Sequence, residues 1–328
     1  MRIHLIIILI AGFIIINGCG APNIKLFTDA SAPLQEFTLQ GKEKGKVLII
    51  PVRGIISDNT KKGMLYDMPG MVQEIVSQLR MAEKDEEVRA VLLKIDSPGG
   101  STTASDILYH EIMAYKKRTG AKVVAAMMDI ATSGGYYVSL PSDLIIAHPT
   151  TITGSIGVIF IRPELINIMG KIGLDIEVIK SGQNKDMGSP FRESTEEEDK
   201  IFQDLIDELS GRFLNLVAKH RKIDQNILSN ISTARVYLAN EALQLGLVDK
   251  IGYLNDAIMQ AQELAGLNED CKVIVYRRTR YPNDNIYNTS TTRFGSQGLS
   301  LIDLGMLDSI TSLRTGFYYL WPPAASNK

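Results

Sequence analysis

Short runs of β-branched and aliphatic residues alternate with helix-length amphipathic stretches through the middle of this chain. That alternation limits its fold more than any other feature. Residues 47–52, 90–95, 123–128 and 144–147 read as strands, and 70–84 and 102–117 between them carry apolar residues at helical spacing. Parallel strands cannot be joined by tight turns and need a crossover, usually a helix. Strand–helix–strand order therefore predicts an α/β fold, a mostly parallel sheet covered by helices.

The pattern continues with a helix over 162–172, a strand over 176–179 and a long helix over 195–221. Shorter helices are predicted over 224–231, 240–244 and 254–265, and a last strand over 271–276. The long helix has a start signal, Ser194 or Thr195 before Glu196, Glu197 and Glu198, whose charges suit the positive end of a helix dipole. Its apolar stripe, Ile201, Leu205, Leu209, Phe213 and Leu216, marks a face for the core or an interface. With 328 residues, 45% of them hydrophobic, the chain can bury one large core or two modest ones. A net charge of -2 and the lack of basic runs interleaved with aromatics argue against a nucleic-acid partner.

The first residues have the form of a targeting segment. Arg2 precedes an apolar stretch over 5–16, too short to span a bilayer comfortably as a helix. It ends Ile16-Asn17-Gly18-Cys19, which resembles the lipobox of bacterial lipoproteins with Asn17 as the imperfect position. The expectation is a signal peptide over 1–18 and lipidation of Cys19; the alternative is an uncleaved short anchor. Either tethers the domain outside a cytoplasmic membrane, in a bacterial envelope. Residues 19–45 lack sustained periodicity and read as a spacer, with folding expected to begin near Lys46 and the domain to run over 46–280. In the remainder, 281–297 is polar, 299–313 mildly amphipathic, and Phe317-Tyr318-Tyr319-Leu320-Trp321 forms an aromatic cluster that should dock on the body. Cys271 is the other cysteine and opens a strand-like run, where a small buried residue is the plainer reading than a reactive thiol.

The chemistry centres on Ala131-Thr132-Ser133-Gly134-Gly135-Tyr136-Tyr137, a serine at a glycine step just past a strand. A sharp strand-to-helix turn exposes a hydroxyl for attack. Asp96-Ser97-Pro98-Gly99-Gly100 follows another strand, and its glycines let backbone N–H groups approach a ligand without a Cβ in the way. Gly100 and Gly134 are thus candidate oxyanion donors, although a Pro-Gly-Gly step alone is often only a turn. Lys185, in Lys180-Ser181-Gly182-Gln183-Asn184-Lys185-Asp186, can act as a base for Ser133 if a dry site lowers its pKa from about 10.4 toward neutrality, a change of roughly 4 kcal/mol. Ser155, in Thr153-Gly154-Ser155-Ile156-Gly157-Val158, is either a turn residue or a hydroxyl that aims that amine. His4, His110, His148 and His220 form no metal-ligand spacing, so no metal is expected, while a triad using His110 or His148 stays conceivable. No phosphate-binding glycine loop of the Gly-x-x-x-x-Gly-Lys-Ser/Thr type occurs.

These segments, with Ala234-Arg235-Val236-Tyr237 and 242–249, resemble in order and spacing the signal peptide peptidase A (protease IV) family, in its short single-domain form. The resemblance spans about 46–276. It implies the Clp protease/crotonase-like fold of repeated β-β-α units, Ser133 as nucleophile, Lys185 as general base, Ser155 as the residue coordinating the lysine, and Gly100 as an oxyanion donor. It implies no cofactor. It also implies a ring-shaped homo-oligomer with active sites at subunit boundaries, where the base can reach a neighbour's serine. Expected substrates are cleaved signal peptides and other unfolded hydrophobic peptides at the membrane. Two other readings use the same fold: a crotonase-like acyl-thioester enzyme without a role for Lys185, and a catalytically silent envelope scaffold. Thr132 departs from the alanine common before the serine, and a lipobox replaces the usual membrane anchor.

Overall fold

The computed structural model describes residues 32–62, 67–289 and 315–327. The expected signal peptide, Cys19 and the amphipathic stretch over 299–313 lie outside the described residues. The main sheet runs in the order β1 (Gln35–Gln40), β13 (Cys271–Arg277), β2 (Glu43–Arg53), β5 (Val88–Ser97), β7 (Lys122–Thr132), β8 (Leu144–Ala147) and β12 (Lys250–Ile251). All of these neighbours are parallel except β1 on β13. Beyond the point where β8 ends, β9 (Ile152–Gly154) takes its place beside β7 and pairs antiparallel with β11 (Val236–Leu238). The α/β expectation holds.

The central strands are apolar without interruption because both sheet faces are buried. Leu48, Ile50, Val91, Leu93, Val123 and Ala125 face one core with α1 (Met71–Ala82), α2 (Thr102–Thr119) and the later turns of α5 (Glu196–Arg221), through Ile75, Leu108, Phe213 and Val217. Val47, Ile49, Ala90, Leu92, Val124 and Ala126 face the other, covered by α8 (Leu254–Ala265) through Leu254, Ala257, Ile258 and Ala261. Short helices α3 (Gly134–Ser139), α4 (Ile166–Ile172), α6 (Gln225–Ile231) and α7 (Ala239–Gln244) complete the connections, and β3 (Lys61–Lys62) pairs with β4 (Asp67–Met68). A second, three-stranded antiparallel sheet sets β14 (Gly316–Leu320) between β6 (Gly99–Ser101) and β10 (Ile159–Ile161). The aromatic tail therefore docks as a strand.

Three elements differ from expectation. The sheet begins at Gln35, ahead of Lys46, because β1 finds its partner more than 230 positions away in β13, from Gln35 opposite Arg277 onward. That pairing has no local signal. Residues 176–179 form no strand: they are exposed, Ile179 at 95%, and without a sheet neighbour their β-branched character cannot act. The helix over 162–172 shortens to Ile166–Ile172, since Pro163 restricts Arg162 to extended backbone and the chain enters the helix only after it.

Candidate active site

Ser133 sits where β7 ends and α3 begins, with φ 51° and ψ −114°, a backbone that side-chain-bearing residues rarely adopt. Such strain costs of order 1–3 kcal/mol and must be held by its surroundings. Here the Ser133 N–H donates to the Gly154 carbonyl at 2.8 Å and its own carbonyl accepts from Tyr137 N–H at 2.8 Å. Gly135 has no room for a side chain, since a Cβ there would lie 2.7 Å from the Ser97 carbonyl oxygen. The Ser133 hydroxyl is buried and has no hydrogen-bond partner among the described residues.

Gly100 approaches from β6. Its turn is fixed by Ser97, whose hydroxyl donates to the Gly54 carbonyl at 2.7 Å and accepts from Gly99 N–H at 3.1 Å. On one side of Gly100, Ile56 N–H donates to the Gly99 carbonyl and Ser101 N–H donates to the Ile56 carbonyl. Neighbouring peptide groups point to opposite sides of a strand, so the Gly100 N–H and carbonyl face the other way, toward β14. A Cβ on Gly134 would lie 3.1 Å from the Gly100 nitrogen and 2.6 Å from the Ser105 hydroxyl, so the backbones meet because that side chain is missing. The two proposed donors, Gly100 and Gly134, are brought together beside Ser133.

Ser155 also belongs to this corner. It follows Gly154, which pairs with Thr132, takes φ 52°, and is anchored by its N–H donating to the Arg235 carbonyl at 2.8 Å. Lys185 does not join these groups within one chain. It is exposed on a turn, and the unpartnered Ser133 hydroxyl receives no bond from it. The dry surroundings expected of this lysine are therefore not supplied by its own chain's fold. Its loop is nevertheless held: the Arg192 guanidinium forks onto Asp186 at 2.7 and 2.9 Å and reaches buried Glu198 at 3.0 Å, while Lys180 donates to Asp186 at 2.7 Å. The hydrogen bonds from Arg192 and then Lys180 hold the Asp186 carboxyl well below the ordinary carboxylate range. Glu198 also closes the Thr195 capping box, so the loop is tied to the start of α5.

The histidines lie elsewhere. His220 shares a 2.8 Å hydrogen bond with the Tyr109 hydroxyl, His148 is bonded to Thr150, and His110 is exposed. None is bonded to Ser133, so the triad alternative gains no partner here. Among the described residues no cluster of metal-ligating side chains occurs, and no helix is long and apolar enough to cross a membrane. Ile56 was not singled out from the sequence, because its role lies in backbone pairing that a side-chain motif does not encode.

Residues 115–268 match peptidase family S49 and residues 68–153 match the Clp protease family. A relative named SppA in Enterococcus faecium is 35% identical over 77% of this chain and 73% of its own length. Protease 4 of Haemophilus influenzae is 31% identical over 90% of this chain and 48% of its own length, so the chain spans about half of that relative. The chloroplastic serine protease SPPA of Arabidopsis thaliana is 30% identical over 82% of this chain and 39% of its own. Together with the strained serine and the glycine backbones that meet beside it, these matches place the chain in peptidase family S49, as a serine peptidase of the Clp protease-like α/β fold.

Proposed function

We propose that this chain is a membrane-tethered endopeptidase that uses Ser133 and Lys185 to degrade cleaved signal peptides and other unfolded hydrophobic peptides. The observation that carries the reading is the strained, uncommitted Ser133 hydroxyl beside the converging Gly100 and Gly134 backbones. In this mechanism the hydroxyl attacks a peptide carbonyl as the Lys185 amine takes its proton. Gly100 and Gly134 N–H groups hold the developing oxyanion, and the proton passes to the leaving amine. Water then releases the acyl group and restores Ser133. Ser155 orients the lysine.

Lys185 is exposed in the single chain, so its base function requires a second copy. Support comes from the apolar residues left uncovered in the stretch that precedes it: Ile168, Ile172, Leu174, Ile176, Val178 and Ile179 are each more than two-fifths exposed. Patches of this kind mark interaction sites. A ring of copies would cover them and bring each Lys185 into a drier setting near a neighbour's serine. Lipidation at Cys19 would keep the assembly at the envelope membrane, outside the cytoplasm and beside its substrates; two acyl chains suffice for stable anchoring where one does not.

The test is hydrolysis of a synthetic signal peptide by the full chain in detergent, with Ser133→Ala and Lys185→Ala alongside. The reading expects cutting by wild type and loss of nearly all activity in both folded variants. Undiminished cutting by Lys185→Ala would remove the lysine from the mechanism, and no cutting by a correctly assembled wild type would favour the scaffold.

A further inference from the structure

Ala234-Arg235-Val236-Tyr237 is one of the sequence segments that carry the family resemblance, yet the proposed mechanism gives it no part. In the fold it packs against the turn that carries Ser155. β11 pairs with β9, Val236 opposite Gly154 and Tyr237 opposite Thr153, and Gly154 pairs in turn with Thr132 of β7. The ends of three neighbouring strands thus lie side by side, at Ser133, Ser155 and Arg235.

One peptide unit joins them. The peptide between Gly154 and Ser155 accepts the Ser133 N–H at its carbonyl, 2.8 Å, and donates its own N–H to the Arg235 carbonyl, 2.8 Å. The backbone of the nucleophile and that of the residue proposed to orient the lysine therefore hang on the same peptide plane. Among the described residues four non-glycine residues have positive φ, and three of them belong to this line: Ser133 at 51°, Ser155 at 52° and Ala234 at 56°. The fourth, Lys222, ends a helix. Backbone of this kind persists only where its surroundings over-determine it, and it gathers at active sites.

The Tyr237 ring supplies that constraint. Gly154 takes φ 88°, and a Cβ there would lie 2.5 Å from Cδ2 and 3.0 Å from Cε2 of Tyr237, so the ring rests directly on the glycine. A glycine is free to turn the peptide that follows it, and here the ring fills the side left open by the missing Cβ. The ring is itself held: it is 3% exposed, the Arg235 guanidinium lies 4.8 Å over it, and that guanidinium donates to both Glu241 oxygens at 2.8 and 3.1 Å. Ala234 closes the far end of the turn, since a Cβ on Gly157 would lie 2.7 Å from its methyl carbon. The Tyr237 hydroxyl is buried and has no hydrogen-bond partner among the described residues. The contact with Gly154 is made by the ring and not by its polar end.

We propose, resting on the peptidase reading above, that Tyr237 is a positioning residue for the reaction. Its ring holds the Gly154–Ser155 peptide, and through that peptide it sets both the direction of the Ser155 hydroxyl toward the Lys185 amine and the seat of the Ser133 backbone. Without the ring the peptide turns, the Ser155 hydroxyl leaves the amine, and the amine is no longer aimed at the serine proton. Tyr237 is almost wholly buried and offers a bound peptide little surface. The loss therefore falls on kcat and not on KM. It also moves the pH dependence of kcat, which reports the base in the enzyme–substrate complex.

The test is hydrolysis of a synthetic signal peptide by the full chain in detergent over a series of pH values, with Tyr237→Leu, Tyr237→Phe and Ser155→Ala beside wild type, each shown folded by its melting curve. Tyr237→Leu should lower kcat at least about tenfold while KM stays within about twofold. The acid limb of its profile should move in the same direction as that of Ser155→Ala. Tyr237→Phe, which keeps the ring, should stay within about twofold of wild type in kcat. Folded Tyr237→Leu with wild-type kcat, or with a loss carried by KM alone, overturns the inference. So does an unmoved acid limb in Tyr237→Leu, which would make the residue merely structural, and so does Tyr237→Phe as impaired as Tyr237→Leu, which would assign the effect to the hydroxyl. Ser155→Ala with wild-type kcat and acid limb removes the group through which the ring acts and overturns it too. If Tyr237→Leu does not fold, Arg235→Ala carries the test, because that side chain is 53% exposed and its loss frees one face of the ring. A kcat lowered about threefold is then expected, and an unchanged kcat overturns the inference. All of these contrary results leave the peptidase reading standing, whereas wild type that cuts no peptide removes both.

Discussion

Ser133 combines a cost with a use: its positive φ turns the hydroxyl out of the strand, and the bonds to Gly154 and Tyr137 hold it there. Gly100 is as tightly specified, because a Cβ there would lie 2.0 Å from the Ile56 carbonyl oxygen. Gly100→Ala should therefore destabilise the fold by about 1–3 kcal/mol, measurable by urea unfolding, since neither backbone can yield as a flexible side chain would. Unchanged stability would mean that β6 and Ile56 are not packed as described. His220 offers a pH test. Burial, then the positive charges of Lys219, Lys116 and Arg221, push its pKa below the ordinary 6.5, so the folded protein resists protonating it while the unfolded chain does not. Its contribution to stability is thus present above pH 6.5 and is lost as pH falls through the depressed value. Unfolding at pH 7 and pH 5 should show a smaller loss for His220→Gln than for wild type; equal losses would exclude His220 as a source of acid sensitivity.

At the scale of elements, helix starts were the most legible part of the sequence. Thr195 and Glu198 do form a reciprocal capping box, and Asp224 caps α6, because these signals act over three residues. Thr195→Ala should lower stability by about 1 kcal/mol, seen as a reduced melting temperature. Strands were legible wherever both faces are buried, as in 144–147, and misleading at 176–179, where a similarly β-branched run meets no neighbour. Arg192 was invisible in sequence, since its importance comes from joining the Lys185 loop to α5. Arg192→Ala should loosen residues 182–189, with faster amide exchange there and peptide hydrolysis lowered at least about tenfold, because a group misplaced by an ångström can lose that much and more. Normal hydrolysis with a loosened loop would show that Lys185 needs no such support.

For the whole molecule, Ser133, Gly100, Gly134 and Ser155 could be chosen from sequence because each sits at a strand end that the sheet brings to one corner. The lysine could be chosen only by resemblance, and the single chain leaves it outside that corner. On the proposed reading, the uncovered apolar stretch from Ile168 to Ile179 is where copies would meet. Ile179→Asp should dissociate the assembly in sedimentation and abolish peptide hydrolysis while leaving the melting of the separate chain nearly unchanged, since this residue is 95% exposed. Assembly with full activity in this variant would place the interface elsewhere. The most direct measurement is to dissociate Ser133→Ala and Lys185→Ala chains, mix them in equal amounts, reassemble them and assay signal-peptide hydrolysis. If each site takes its serine from one copy and its lysine from the next, two inactive proteins should recover about a quarter of wild-type activity, as random mixing in a closed ring gives. A mixed assembly that stays as inactive as its parents would contradict a site shared between copies.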